Sequence, residues 1–254
     1  MPNSLKKNVK VDFLIAGAQK SGTTALNDYL YAHPALCMFR KKEIHFFDDD
    51  AIFDGKPVNY SKYHSFFSPR SSQCLCGEAT PDYMYWYSAP RRIWNYNPAM
   101  KFIIILRNPI DRAFSAWNME QFRKREFLSF QEAIRTESQR VKEVLPLQHR
   151  VYAYVDRGFY TDQIRRIWHY FPKEQTLFLK SASLKNQPQT TVDQVCDFLG
   201  VAKMPDIKPH IINAKSYVTS MTAMDRAYLK EVYEYEIKEL EHMLGWDCSE
   251  WLAP

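Results

Sequence analysis

The sequence predicts an α/β fold in three layers, α/β/α, with helices on both faces of a central parallel sheet and a P-loop-like turn after the first strand. Two observations carry this. Short apolar runs alternate with amphipathic stretches along all 254 residues, the pattern of strands joined by helical crossovers. The first run, Val11 to Ala16, passes through the glycine-bounded segment Gly17-Ala18-Gln19-Lys20-Ser21-Gly22-Thr23-Thr24 into the helical pattern Ala25-Leu26-Asn27-Asp28-Tyr29-Leu30. With 46% hydrophobic and 25% charged residues, and no repeat or Gly/Ser linker, one domain spanning 1–254 is expected.

The apolar runs place strands at Val11 to Ala16, Ala35 to Phe39, Gln73 to Gly77, Lys101 to Leu106 and Thr176 to Lys180. Helices are expected at Thr23 to Ala32, Pro109 to Phe122, Ser129 to Arg140, Thr161 to Tyr170, Thr190 to Leu199 and Thr222 to Leu244. Pro109 suits a first helical position, where its missing N–H would be unpaired anyway. The last helix carries Leu229, Val232, Tyr233, Ile237, Leu240 and Leu244 on an amphipathic pattern and ends at Gly245, a natural C-cap, so its role is packing. Pro57 to Arg70 and Lys203 to Ser220 are the least periodic stretches and are expected as loops over the cleft.

Thirty-four basic against twenty-nine acidic side chains leave a net charge of +5, compatible with anionic ligands but too mild to indicate nucleic acid. The N-terminal lysines precede no apolar signal region, and runs such as Phe102-Ile103-Ile104-Ile105-Leu106 are too short to span a bilayer, so a soluble cytoplasmic protein is expected. Five cysteines, Cys37, Cys74, Cys76, Cys196 and Cys248, form an odd set without CxxC spacing, as reduced thiols do. No ligand pairs recur at metal-site spacing, so no metal is expected. The run Tyr83-Met84-Tyr85-Trp86-Tyr87 offers rings either to a substrate cleft or to the core.

In open parallel sheets ligands bind beyond the carboxyl ends of the strands, and three groups stand there. The first is the loop after Ala16. Backbone N–H groups at a helix start lack partners and sit at the positive end of the helix dipole, so they bind anions, and glycine permits close approach. Its glycine spacing equals that of GxxxxGK[ST], but Thr23 follows the second glycine and the lysine is Lys20, inside the loop. The second is Lys42-Glu43-Ile44-His45-Phe46-Phe47-Asp48, where strand alternation would put Glu43 and His45 on one face. A carboxylate beside an imidazole suits proton abstraction; a solvated strand end is the plainer reading. The third is Leu106-Arg107-Asn108-Pro109-Ile110-Asp111-Arg112-Ala113-Phe114-Ser115, in which Arg107 leaves a strand and Ser115 lies two turns into a helix. Guanidinium and hydroxyl suit a phosphate monoester. An ion pair from Arg107 to Glu78 or Asp82, and packing for Ser115, are the alternatives.

Together these segments resemble the sulfotransferases that use 3'-phosphoadenosine-5'-phosphosulfate, in particular the carbohydrate branch of heparan sulfate sulfotransferases and their soluble bacterial relatives. Lys20 to Leu26 resembles its KxGTTxL loop, Arg107, Pro109, Arg112 and Ser115 its Arg-x-Pro-x-x-Arg-x-x-Ser element, and Lys42 to Phe47 its KExHFF stretch. Glu78-Ala79-Thr80-Pro81-Asp82-Tyr83 and Gly158-Phe159-Tyr160, before a helix reaching Trp168 and Phe171-Pro172, extend the similarity over residues 11 to 200. The resemblance implies that Lys20, Ser21, Gly22, Thr23 and Thr24 hold the 5'-phosphosulfate, that Arg107 and Ser115 hold the 3'-phosphate, and that Glu43, with His45, is the catalytic base. Two departures stand out. The family's C-terminal Lys-Gly-Arg loop reads Asn213-Ala214-Lys215-Ser216-Tyr217-Val218 here, leaving Lys215 as the phosphate ligand, and Ala79 replaces a lysine that helps to bind acidic sugars.

The implied reaction moves a sulfuryl group to an acceptor hydroxyl, less readily an amine, of a glycan or small molecule, with no metal and no nucleic acid partner. A Mg²⁺-dependent P-loop phosphotransferase would need lysine at 23 and an acidic residue at a strand end, where Thr23 and Arg107 stand. A non-enzymatic nucleotide- or RNA-binding protein would use the rings of 83 to 87 for stacking.

Overall fold

The computed structural model describes residues 9–40, 43–72, 74–208 and 217–253. Its strands are β1 (Val11–Gly17), β2 (Leu36–Met38), β3 (Leu75–Ala79), β4 (Lys101–Leu106) and β5 (Thr176–Lys180). Among the described residues the helices are α1 (Thr23–Tyr31), α2 (Ser61–His64), α3 (Asp82–Tyr85), α4 (Ala89–Tyr96), α5 (Pro109–Phe122), α6 (Phe130–Arg140), α7 (Tyr160–Tyr170), α8 (Ser181–Asn186), α9 (Pro188–Leu199) and α10 (Ala223–Leu244). The chain divides into two compact units, Met1–Leu106 with Ile167–Ile212, and Arg107–Arg166 with Asn213–Pro254.

The first unit holds the sheet. All its strands are parallel, in the order β2-β3-β1-β4-β5, so the chain winds outward on both sides of β1. The predicted α/β architecture, a central parallel sheet flanked by helices, is thus the one observed. Near-continuous apolar sequence in β1 and β4 follows from burial on both faces. Phe13 and Ile15 of β1 and Ile103 and Ile105 of β4 pack with Leu26 and Leu30 of α1 and with Val192, Val195 and Leu199 of α9. Each such buried side chain stabilises the fold by roughly 1.5–3 kcal/mol before ordering costs are subtracted.

The first strand runs one residue further than expected, to Gly17, and two other strands and one predicted loop also differ in detail. The third strand runs Leu75–Ala79 rather than from Gln73, which lies outside the described residues, and it includes Glu78. A carboxylate interrupts an apolar pattern, but this one is fully buried among hydroxyl groups. The second strand keeps only three residues, Leu36–Met38. Within the expected loop of Pro57 to Arg70, one turn of helix, α2, carries the fully buried Tyr63.

The second unit is helical. A full capping box at Ser129 and Glu132 starts α6, and Thr222 caps α10, which ends at Gly245 with φ 66°. Leu229, Tyr233, Ile237 and Leu240 of α10 are buried, as its amphipathic pattern requires. Glu236 on the same helix accepts from the Thr161 backbone N–H (2.7 Å) and hydroxyl (2.8 Å), tying α10 to the start of α7.

Candidate active site

The order β3-β1-β4 makes the carboxyl end of β1 the point where the chain's path reverses, the crevice position in open α/β sheets. Gly17 ends β1 where a Cβ would lie 2.6 Å from Met84 Sδ and 2.8 Å from Met84 Cβ, so only glycine fits without displacing α3. The loop then turns through Lys20 (φ 68°) and Gly22 (φ 108°), a conformation that strongly favours glycine at the second position. Gly22 is the N-cap of α1, and no side chain caps the helix. Its leading N–H groups are thereby aimed at the loop's mouth. Ser21 is buried, and its hydroxyl has no hydrogen-bond partner among the described residues. A buried unpaired hydroxyl costs about 1–3 kcal/mol, and an anion held by the loop would satisfy it. The residues present therefore fit a phosphate group.

The second cluster belongs to the same unit. Residues 43–46 form no strand; Glu43 (φ 49°) and His45 (φ 53°) both adopt left-handed backbone, which corrects the alternation expected from sequence. Their side chains still meet, with His45 Nε2 3.1 Å from Glu43 Oε2, while His45 Nδ1 lies 2.8 Å from Asp48 Oδ2 and 4.0 Å from Asp82 Oδ2. The strained backbone is held from a distance. Ile44 N–H donates to Thr80 Oγ1 (3.1 Å) and Phe46 N–H to the Tyr83 hydroxyl (3.0 Å). Both hydroxyls in turn donate to the buried Glu78 carboxylate, at 2.6 and 2.9 Å, and Tyr63 donates to it at 2.8 Å. Burial pushes the Glu78 carboxyl up, against the pull of these hydroxyl donors. Phe46 stacks on Tyr63 with centroids 4.6 Å apart, so rings and hydroxyls fix the turn together.

Hydrogen bonds to Asp48 and then Glu43 raise the His45 pKa from 6.5 to about 10, against the opposing effect of burial. At neutral pH the ring is an imidazolium donating both N–H groups to carboxylates. His45, Asp48 and Asp82 also present ligand atoms within 4.8 Å of one another, where a cation would have to displace the ring proton. A raised folded-state pKa contributes stability that is fully present below 6.5 and is lost as pH rises through about 10. The stability gap between the parent chain and His45→Gln, read by urea unfolding, should therefore shrink between pH 6.5 and 10. A gap constant over that window would contradict the charged ring.

In the second unit Arg107 directly follows β4 and is half-buried, and its backbone carbonyl accepts from the Tyr160 hydroxyl at 2.9 Å. Asn108 caps α5 through Ile110 N–H (3.0 Å), with Pro109 at the first turn as expected. Ser115 is buried on the same helix. Arg112, the other arginine of the motif, is fully buried and donates to the Tyr154 carbonyl, which makes it a core group of this unit. Lys215 lies outside the described residues, as does Lys42.

Three carboxylates support the His45 turn in ways its local sequence does not show: Asp48, and Glu78 and Asp82, which the sequence offers only as partners for Arg107. Asp48 stood in the quoted stretch, but alternation directed attention away from a residue three positions after His45. Glu78 and Asp82 stood in the segment Glu78 to Tyr83, where the recurrence of carboxylate, Thr80 and Tyr83 was the available signal. The rings of 83 to 87 are not a stacking platform: Tyr83, Tyr85 and Trp86 are buried, and Tyr87 alone of them is exposed, at 71%. This removes the feature on which the RNA-binding alternative rested and the proposed stacking surface for an acceptor.

Comparison with known proteins agrees with this geometry. A family model described as a sulfotransferase domain matches residues 10–239. Bifunctional heparan sulfate N-deacetylase/N-sulfotransferase 3 of Homo sapiens is 33% identical over 201 residues, covering 74% of this chain and 22% of that protein. Heparan sulfate glucosamine 3-O-sulfotransferase 6 of Mus musculus is 29% identical over 207 residues, covering 79% of this chain and 55% of its own length. The chain thus spans roughly a fifth to a half of these curated relatives (22% and 55%). The crystal structure of a sulfotransferase from Alicyclobacillus acidocaldarius superposes with a TM-score of 0.82 at 28% identity, covering 96% of this chain and 100% of that one. A family match running through the anion loop, the Glu43 cluster and the Arg107 helix, on a parallel sheet of the same fold, shows that this chain belongs to the sulfotransferase family.

Proposed function

We propose that this chain transfers the sulfuryl group of 3'-phosphoadenosine-5'-phosphosulfate to a hydroxyl of a carbohydrate or small-molecule alcohol by in-line displacement. The observation that carries this reading is the Glu43 carboxylate, 3.1 Å from the His45 ring, in the same unit as a phosphate-type loop with an unsatisfied buried hydroxyl. Bound at the loop, the donor supplies an activated sulfuryl group and a bisphosphate leaving group. Glu43 takes the acceptor proton as the acceptor oxygen bonds to sulfur and the bond from sulfur to the 5'-phosphate oxygen breaks. His45, charged and anchored by Asp48, orients Glu43; a ring already protonated does not act as a second base. Lys20 neutralises charge developing on the departing phosphate oxygen, and the backbone N–H groups of Ser21, Gly22, Thr23 and Thr24 hold the 5'-phosphate.

Arg107 and Ser115 take the 3'-phosphate, with Lys215 as a further ligand. The chemistry asks for no metal, because a terminal sulfuryl group carries less charge than a terminal phosphoryl group. Residues 1–254 act as one sulfotransferase domain in this reading, supported by the family match that runs across both units. Five free cysteines fit a reducing compartment, which supports a cytoplasmic location in this reading. Among the described residues no helix is long and apolar enough to cross a membrane.

The test is a screen of carbohydrate and small-molecule alcohols with donor carrying labelled sulfur, in the presence of a chelator. Label is expected on an acceptor with one adenosine 3',5'-bisphosphate released per label. Transfer of phosphorus from labelled ATP with Mg²⁺ instead would overturn the assignment.

A further inference from the structure

The first unit contains a cavity of about 480 Å³ beside β2, the edge strand of the sheet. It is lined by Tyr31 at the end of α1, by Leu36 and Cys37 of β2, by Arg40 just beyond that strand, and by Phe66 and Arg70 from the segment after α2. No residue of the loop from Gly17 to Thr24 lines it, so it is separate from the phosphate-type site. We infer that this cavity binds a ring carrying one anionic group, a carboxylate or a sulfate ester.

Three features point to that chemistry. Its charged lining is Arg40 and Arg70, with no carboxylate among the lining residues, and no carboxylate among the described residues pairs with either guanidinium. A guanidinium presents parallel donors matched to a carboxylate or sulfate edge. Tyr31 and Phe66 leave 36% and 37% of their surfaces exposed, flat apolar area that would pack on a ring. Three of these groups, Tyr31, Arg40 and Phe66, make contacts before anything binds. The Arg40 guanidinium sits 5.2 Å from the Tyr31 ring centroid, and Phe66 meets Phe39 edge to face at 5.0 Å. The volume falls within the roughly 300–1,000 Å³ of small-molecule sites.

Two sources share this chemistry. Arg40 precedes Glu43 by three residues, at most about 10 Å of extended chain, so the ring could be an acidic residue of a longer acceptor chain. It could equally be a free small anion. The binding claim stands without the sulfuryl-transfer reading; only the first source rests on it. The lysine that the family uses for acidic sugars is replaced here by Ala79, and this cavity puts cationic groups at a different place, on β2's exit and the segment after α2.

The experiment measures phenyl β-glucuronide and phenyl β-glucoside by calorimetry on the intact chain saturated with adenosine 3',5'-bisphosphate. The glucuronide should bind roughly tenfold more tightly than the uncharged glucoside, and Arg40→Ala or Arg70→Ala should each remove about that factor. Cys37 gives a second readout that needs no variant: saturating glucuronide should slow its alkylation by iodoacetamide, mapped by mass spectrometry. Equal binding of the two phenyl glycosides, wild-type affinity in both arginine variants, no glucuronide binding to the bisphosphate-saturated chain, or an unchanged Cys37 rate would each overturn the site. An oligogalacturonate binding more tightly than the monomeric glucuronide, with the gain lost in Arg40→Ala, assigns the ring to an acceptor chain; equal affinity assigns it to a free small anion. A failed sulfur-label screen with intact glucuronide binding would sink the enzyme reading and leave the cavity standing.

Discussion

Glu43→Gln should lower the turnover rate for sulfuryl transfer roughly 100- to 10,000-fold, the range for loss of a positioned general base, while donor affinity stays within about twofold of the parent. Glutamine retains an oxygen to accept from His45 Nε2, at 3.1 Å from the carboxylate in the parent chain, so the turn should keep its shape. What it loses is the capacity to hold the acceptor proton. The distinction matters because removing His45 acts differently. Without the imidazolium, Glu43 keeps its chemistry and loses its anchor to Asp48. Rapid-quench kinetics with saturating donor read the first effect directly, and an unchanged turnover in Glu43→Gln would remove this residue from the mechanism.

Arg107→Ala should weaken adenosine 3',5'-bisphosphate by roughly 10- to 150-fold, the worth of a charge-assisted contact to phosphate, and leave adenosine 5'-monophosphate nearly untouched. Arg107 directly follows β4 in the chain, and Ser115 lies two turns along the helix that Asn108 and Pro109 start. A guanidinium that reads the 3'-phosphate makes no contribution when that phosphate is absent. Equal losses for both nucleotides would show that Arg107 acts on the fold or on the 5'-phosphate instead.

The sheet and the loop were legible because each leaves a local mark. A fully buried parallel strand has to be apolar along its length, and β4 and β5 fall on the predicted residues, as does α5 with its proline start. The glycine-bounded loop shows in the spacing of Gly17 and Gly22, whose structural reasons are the close approach of Met84 and a positive φ. Glu43 and His45 were paired by alternation and are paired in the structure by something else. Two left-handed residues bring them together, and the N–H groups of Ile44 and Phe46 beside them are held by the Thr80 and Tyr83 hydroxyls, 36 and 37 residues further along the chain.

No local pattern encodes such a brace. Helices of four residues such as α2 and α3 are too short to establish a period, so the sequence around Tyr63 has the pattern of a loop and that of 83 to 87 leaves the direction of its rings open. Composition counts aromatic rings without giving their direction. Glu78 shows the same limit from the opposite side. A carboxylate inside an apolar strand reads as the strand's end, and only the three hydroxyls that converge on it explain how it is buried.

The donor proposed for this site carries a phosphate at the 3' and at the 5' position of its ribose, and a single calorimetric comparison tests this most directly. The parent chain is titrated in parallel with adenosine 3',5'-bisphosphate, adenosine 5'-monophosphate and ATP with Mg²⁺. The bisphosphate should bind at least roughly tenfold more tightly than the monophosphate and than ATP, consistent with one added charge-assisted phosphate contact. ATP binding as tightly as the bisphosphate, or a monophosphate that binds equally well, would contradict a site built for the sulfuryl donor.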